Sequence, residues 1–138
     1  MPTVTNPTLS LTETTTQMVT LKVTYDVTFT AVERQLFGLG LNYHSHVTVH
    51  GVDGSTVGSP LVNTDFPHRA IGAHEGLTVG ATDQTLDMEE EQTFGRSLLE
   101  EDPFGDPDEL KCNIRIHSPL PLQFSDDVFT ATKVLATL

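Results

Sequence analysis

A chain of 138 residues with 7 Lys+Arg against 19 Asp+Glu, a formal net charge of −12, has the length of one domain. Its charge excludes autonomous binding to nucleic acid or to an anionic membrane, because phosphate contacts need a basic surface. Hydrophobic residues make up 37% and mean hydropathy is −0.14, lean for a globular domain, yet too apolar and too rich in β-branched residues for a disordered polymer.

The segment 1–17 is rich in threonine, and its stretch 7–12 alternates as an edge strand would, with Pro7 at the start where no ladder donor is lost. Between 18 and 30 the alternation is complete. Val19, Leu21, Val23, Tyr25, Val27 and Phe29 hold one parity; Thr20, Lys22, Thr24, Asp26, Thr28 and Thr30 hold the other. Six matches to a period of two predict a strand with one face in a core and the other in water. Residues 39–52 repeat the pattern, with Leu39, Leu41, Tyr43, Val47 and Val49 opposite Asn42, His44, His46, Thr48 and His50, ending at the turn pair Asp53-Gly54.

Residues 51–83 are punctuated by glycine and proline, with short strands expected at 59–66 and 76–81. The stretch 84–101 fits two templates. Leu86, Met88 and Phe94 suit a strand, while Leu86, Glu90, Phe94 and Leu98 suit a helical ridge; Ser97-Leu98-Leu99-Glu100 has the form of a capping box for one turn. Asp102-Pro103 and Asp106-Pro107 enforce a loop. Alternation returns at 109–117, where Leu110, Cys112, Ile114 and Ile116 oppose Lys111, Asn113, Arg115 and His117. Ser118-Pro119 and Pro121 break it, and 128–138 closes the chain as a strand of mixed parity, bulged or apolar on both faces. The expectation is an all-β fold: one domain over 1–138, two antiparallel sheets in a sandwich, six to eight strands, long irregular loops and no sustained helix.

The C-terminal order is an acidic loop (DPFGDPDE, 102–109), an alternating strand, a proline-marked bend and a terminal strand. It resembles the last two strands of an immunoglobulin-like or fibronectin-type sandwich. The resemblance is architectural and covers about half the chain; the Cys…Trp…Cys hallmark of antibody domains is absent, since there is no Trp and a single cysteine, Cys112.

Two groups carry candidate chemistry. His44, His46 and His50 share one face of a strand, and a His-x-His pair at that spacing suits a divalent transition metal such as Zn²⁺, Ni²⁺ or Cu²⁺. The pair also resembles the opening of the first cupin motif. The glutamate of that motif is missing, and its second motif has only an echo in Pro67-His68 and 72–74. The plain alternative is a row of polar residues on the solvent face of a sheet. The second group lies in the acidic stretch 87–109, where Asp102, Asp106, Asp108 and Glu109 are placed to meet a cation such as Ca²⁺ or a basic partner, although the EF-hand spacing is not met. Cys112 shares parity with the core residues and reads as a buried thiol. No nucleophile elbow, phosphate loop, dinucleotide fingerprint or HExxH motif occurs.

These observations favour a non-catalytic interaction or structural module needing no cofactor. Its expected partner is a protein, above all another copy of the chain, met through strand edges, with the threonine-rich segment as an edge or exchanged strand. The alternatives are a metal-binding, even enzymatic, domain using the histidine row, and an acidic domain for a basic protein partner. With no basic-then-apolar leader and no spanning segment in the sequence, cytoplasmic residence is expected, compatible also with signal-independent release or a virus particle.

Overall fold

The computed structural model describes residues 2–13, 17–53, 56–61, 65–99, 108–118 and 128–135. They form two antiparallel sheets over one shared core. The first sheet has three long strands, β1 (Thr3–Glu13), β2 (Met18–Phe29) and β6 (Gln84–Gly95), in the order β1-β2-β6. The second is built on β3 (Tyr43–Asp53) and β7 (Asp108–His117), which pair from His44↔His117 to Val52↔Glu109. β4 (Thr56–Pro60) and β5 (Arg69–Ile71) line the other edge of β3, while β8 (Val128–Phe129) and β9 (Lys133–Leu135) line that of β7. This sheet curls into a half-barrel.

The alternation of β2 becomes one wall of the core. Val19, Leu21, Val23, Tyr25, Val27 and Phe29 are all at most 2% exposed, and each such burial contributes about 1.5–3 kcal/mol. Tyr43, Val47 and Val49 of β3, with Leu110, Cys112, Ile114 and Ile116 of β7, form the facing wall. The Phe29 and Tyr43 rings meet at 5.0 Å across the layers. The Cys112 thiol is buried there, and desolvation pushes its pKa up to about 12, so it packs as a small hydrophobe.

The periodic segments appear as strands, with two differences at their ends. The first strand starts at Thr3, passing through a bulge between Thr5 and Thr8 where Asn6 takes φ 53. The closing strand is split into β8 and β9 by Thr130 to Thr132, which belong to neither, and the backbone N–H of Thr130 donates to Cys112 O. For the ambiguous stretch 84–101 the partner strand decides. β6 pairs with β2 in unbroken register from Met18↔Gly95 to Phe29↔Gln84, and one helical turn follows, α2 (Arg96–Leu99). Nine strands are present among the described residues.

Two expectations for the middle of the chain are corrected. An eight-residue helix, α1 (Ala31–Gly38), connects β2 to β3. Its start is a reciprocal capping box: the Glu33 carboxylate accepts from Thr30 N (2.7 Å) and Thr30 Oγ1 from Glu33 N (3.3 Å). Residues 76–81 are not a strand, because their carbonyls serve α1 instead of a ladder. The nearly buried Arg34 donates through Nε to Thr78 O, through Nη1 to Thr82 O and through Nη2 to Val79 O. Gly80 leaves room for that guanidinium; a Cβ there would stand 2.4 Å from Arg34 atoms. β4 ends at Pro60, and Leu61 N and Phe66 N still donate to Val49 O and Val47 O of β3. No described helix is long and apolar enough to cross a membrane.

Candidate functional site

The outer face of the second sheet gathers histidines from three separate segments. In β3 the residues Tyr43, Ser45, Val47 and Val49 point into the core, so His44, His46, Thr48 and His50 point outward. The antiparallel register sets His117 of β7 directly opposite His44, and Arg115 opposite His46. The His44 and His117 rings stack at 5.5 Å. His68, just before β5, adds a fourth ring, 4.1 Å from His46 and 5.5 Å from His117. His44, His46 and His117 are half-buried and His68 is exposed.

One carboxylate serves this group: Asp65 Oδ2 lies 3.6 Å from His46 Nε2. That nitrogen is shielded from solvent and has no hydrogen-bond partner. Burial holds the His117 pKa below its ordinary value, with further lowering from His44, His68, His46 and Arg115. For His117 this favours the neutral ring, the form that ligates metals. As the rings stand, no three His, Cys, Asp or Glu side chains among the described residues are arranged to hold an ion.

His50 stands apart from this cluster. Its Nδ1 is 2.8 Å from Gly58 O, its Nε2 is 2.8 Å from Thr48 Oγ1, and its ring meets the edge of Phe129 at 5.5 Å. The structure therefore brings His44 and His46 together with His68 and His117, two residues outside the expected row. The polar parity of 109–117 already placed His117 on an outer face; the β3–β7 register that makes it a neighbour of His44 has no sequence signal.

Of the acidic candidates, Asp102 and Asp106 lie outside the described residues, and of Asp108 only the backbone is described, paired with Leu135 at the start of β7. Glu109 is half-buried on β7, opposite Val52 of β3 and Val134 of β9.

Carboxylates concentrate instead on β6. Thr85, Asp87, Glu89, Glu91 and Thr93 form its exposed row. Asp87 faces Asp26 of β2 directly, and the pair shares a hydrogen bond. That bond and the neighbouring charge raise the Asp87 pKa, while Asn6, donating from Nδ2 to Asp26 Oδ2 at 2.9 Å, is the first cause lowering that of Asp26. These three residues, with Thr24, Tyr25, Met88 and Glu89, line a shallow hollow of about 380 Å³. Beneath it Glu90 turns inward, 7% exposed, and accepts a 2.5 Å hydrogen bond from the Tyr25 hydroxyl. Burial, then the Glu90 charge, drives the Tyr25 pKa far above the ordinary value, so the phenol stays protonated and donates.

β6 is also an edge strand. Arg69 Nη1 donates to Glu89 O at 2.7 Å from outside the sheet, which shows that the backbone groups of the exposed row point away from β2. Among the described residues, the N–H groups of Thr85, Asp87, Glu89, Glu91 and Thr93 have no strand partner on that side. No family of known proteins, no curated protein and no solved structure matches the chain.

Proposed function

We propose that the chain is a non-catalytic interaction module of immunoglobulin-like layering that binds an extended basic segment of a partner protein along the outer edge of β6. The strand order supports the layering. β1-β2-β6 against β4-β3-β7-β8 follows the A-B-E and C′-C-F-G orders of immunoglobulin sheets, in which a further strand, D, lies beside E. Here β6 occupies the E position, and no described strand lies beside it.

The observation that carries the reading is this open edge: five successive outward backbone donors flanked by Asp87, Glu89 and Glu91. A strand added there gains main-chain hydrogen bonds, and alternate lysines or arginines meet the carboxylates. Such a strand replaces the Arg69 guanidinium at Glu89 O. A second β6 is a poor occupant, because antiparallel self-pairing sets carboxylates opposite one another. The opposite edge of the sheet is blunted. β1 carries the Asn6 bulge and Pro7, and it pairs within its own chain from Thr3↔Thr28 to Glu13↔Val19.

The test is hydrogen exchange with an extended peptide alternating lysine and threonine. Binding is expected to slow exchange at Thr85, Asp87, Glu89, Glu91 and Thr93, to weaken steeply with added salt, and to disappear in Asp87→Lys/Glu91→Lys. Protection confined to β1, or equal binding by the charge-reversed protein, rejects this reading. A discrete oligomer in light scattering that persists in Asp87→Lys/Glu91→Lys supports self-assembly instead.

A further inference from the structure

The histidine cluster has no part in strand addition at β6 and needs its own explanation. Four imidazoles and the Arg115 guanidinium crowd one half-buried patch, with Asp65 beside His46 as the compensating charge. Solvent-face polarity alone is satisfied by Ser, Thr or Lys, and gives no reason for rings from β3, from β7 and from the segment ahead of β5 to meet.

We propose that His46, His68 and His117 form a binding site for a divalent transition metal of the zinc type, with the Asp65 carboxylate beside it and His44 stacked behind His117. Two observations carry the assignment. The first is spacing. Imidazoles bound to one tetrahedral ion at Zn–N of about 2.0–2.1 Å have ring centroids about 5 Å apart, and His68 lies 4.1 Å from His46 and 5.5 Å from His117. The second is the His46 Nε2 atom, shielded from solvent, without a hydrogen-bond partner, and facing the Asp65 carboxylate at 3.6 Å. A metal ion satisfies both groups at once. As the rings stand they are not arranged to hold an ion, so binding requires the exposed His68, outside any strand, to turn its ring toward His46 and His117. The donor set, imidazole nitrogen with one carboxylate, selects a borderline transition metal over Ca²⁺, which takes six to eight oxygens.

The untagged chain, stripped with a chelator, is dialysed against zinc ion alone or calcium ion alone, and the bound metal is measured by elemental analysis. About one equivalent of zinc and no calcium is expected. His68→Ala and His117→Ala are each expected to weaken zinc binding at least tenfold, a loss that changes to residues hydrogen-bonded behind the ligands already reach in established sites. His68→Ala should leave the far-ultraviolet circular dichroism unchanged, which separates lost binding from lost fold. His74→Ala, at a side chain 95% exposed, and His50→Ala, whose ring nitrogens are engaged by Thr48 and Gly58, are expected to keep full affinity. No stoichiometric zinc in the unaltered chain overturns the assignment. So does calcium uptake in place of zinc, or a loss in His74→Ala or His50→Ala equal to that in His68→Ala.

Discussion

The two sheets solve the same problem in different ways. The β1-β2-β6 sheet is three strands of 11 or 12 residues, and its outer face is laid out in rows one residue wide. Thr20 bonds Thr93 and Thr28 bonds Thr85, both at 2.8 Å, and Lys22 lies 3.4 Å from Glu89. The β3–β7 sheet has two long strands and four pieces of two to five residues, and its outer face gathers histidines, with Thr48 among them. Long strands in continuous register spread polar residues evenly; a curled sheet of fragments brings distant residues to one place. The first sheet thus offers an edge and the second a cluster.

Both sheets share one core, and the largest expected effect tests that sharing. Ile114→Ala, at a fully buried site on β7, is expected to cost about 2–5 kcal/mol, and Val23→Ala on β2 less, because fewer methyl groups are lost. Urea denaturation followed by tyrosine fluorescence and by circular dichroism should give one coincident transition in each variant. Two separated transitions would mean that the sheets unfold independently.

Next comes the polar contact buried within the first sheet. Tyr25→Phe leaves the inward Glu90 carboxylate without its donor, at a cost of about 1–3 kcal/mol. Tyr25→Phe/Glu90→Met, which removes both partners, is expected to recover most of that loss in a double-mutant cycle. Additive losses would show that the hydrogen bond is not the reason the pair is tolerated there.

The link between the sheets is α1, and Thr30→Ala removes one half of its capping box. A loss of about 1 kcal/mol in the same denaturation assay is expected; no change would assign the placement of α1 to the Arg34 bonds alone.

The smallest effect belongs to the histidine face. A His117 pKa held below the ordinary 6.5 means that the unfolded chain takes up the proton first. Stability is therefore lost as pH falls from about 6.5 and levels off once the folded-state ring has titrated as well. Calorimetry between pH 7.5 and pH 5 should show the melting temperature falling over this window, and His117→Gln should flatten the slope, whereas His74→Gln should not. Equal slopes in all three proteins would separate the acid response from this cluster.

Much of the first sheet was legible because alternation is a local property. The parity of Val19 to Phe29 states which face is buried without reference to any other strand, and the same holds for Leu110 to Ile116. The capping box at Thr30 and Glu33 went unread, because Thr30 also continues the polar row of the strand before it. Its helix is only eight residues long and buries Glu33 and Arg34, so no apolar stripe announced it. Residues 76–81 resembled a strand because their composition does not reveal that Arg34, more than forty residues earlier, takes their carbonyls.

The candidate sites divide in the same way. Sequence by itself determined that His44 and His46 share a face and that His117 lies on the polar side of its strand, because a strand has a period of two; that Asp87, Glu89 and Glu91 point the same way was settled only by the pairing of β6 with β2. Tertiary structure alone decided that His44 stands opposite His117, that His68 folds over His46, that His50 turns to Gly58 and Thr48, and that β6 ends its sheet. Those outcomes depend on strand register and strand order. Both are fixed by the fit of side chains contributed from across the whole chain to one core, and no local stretch of sequence contains that fit.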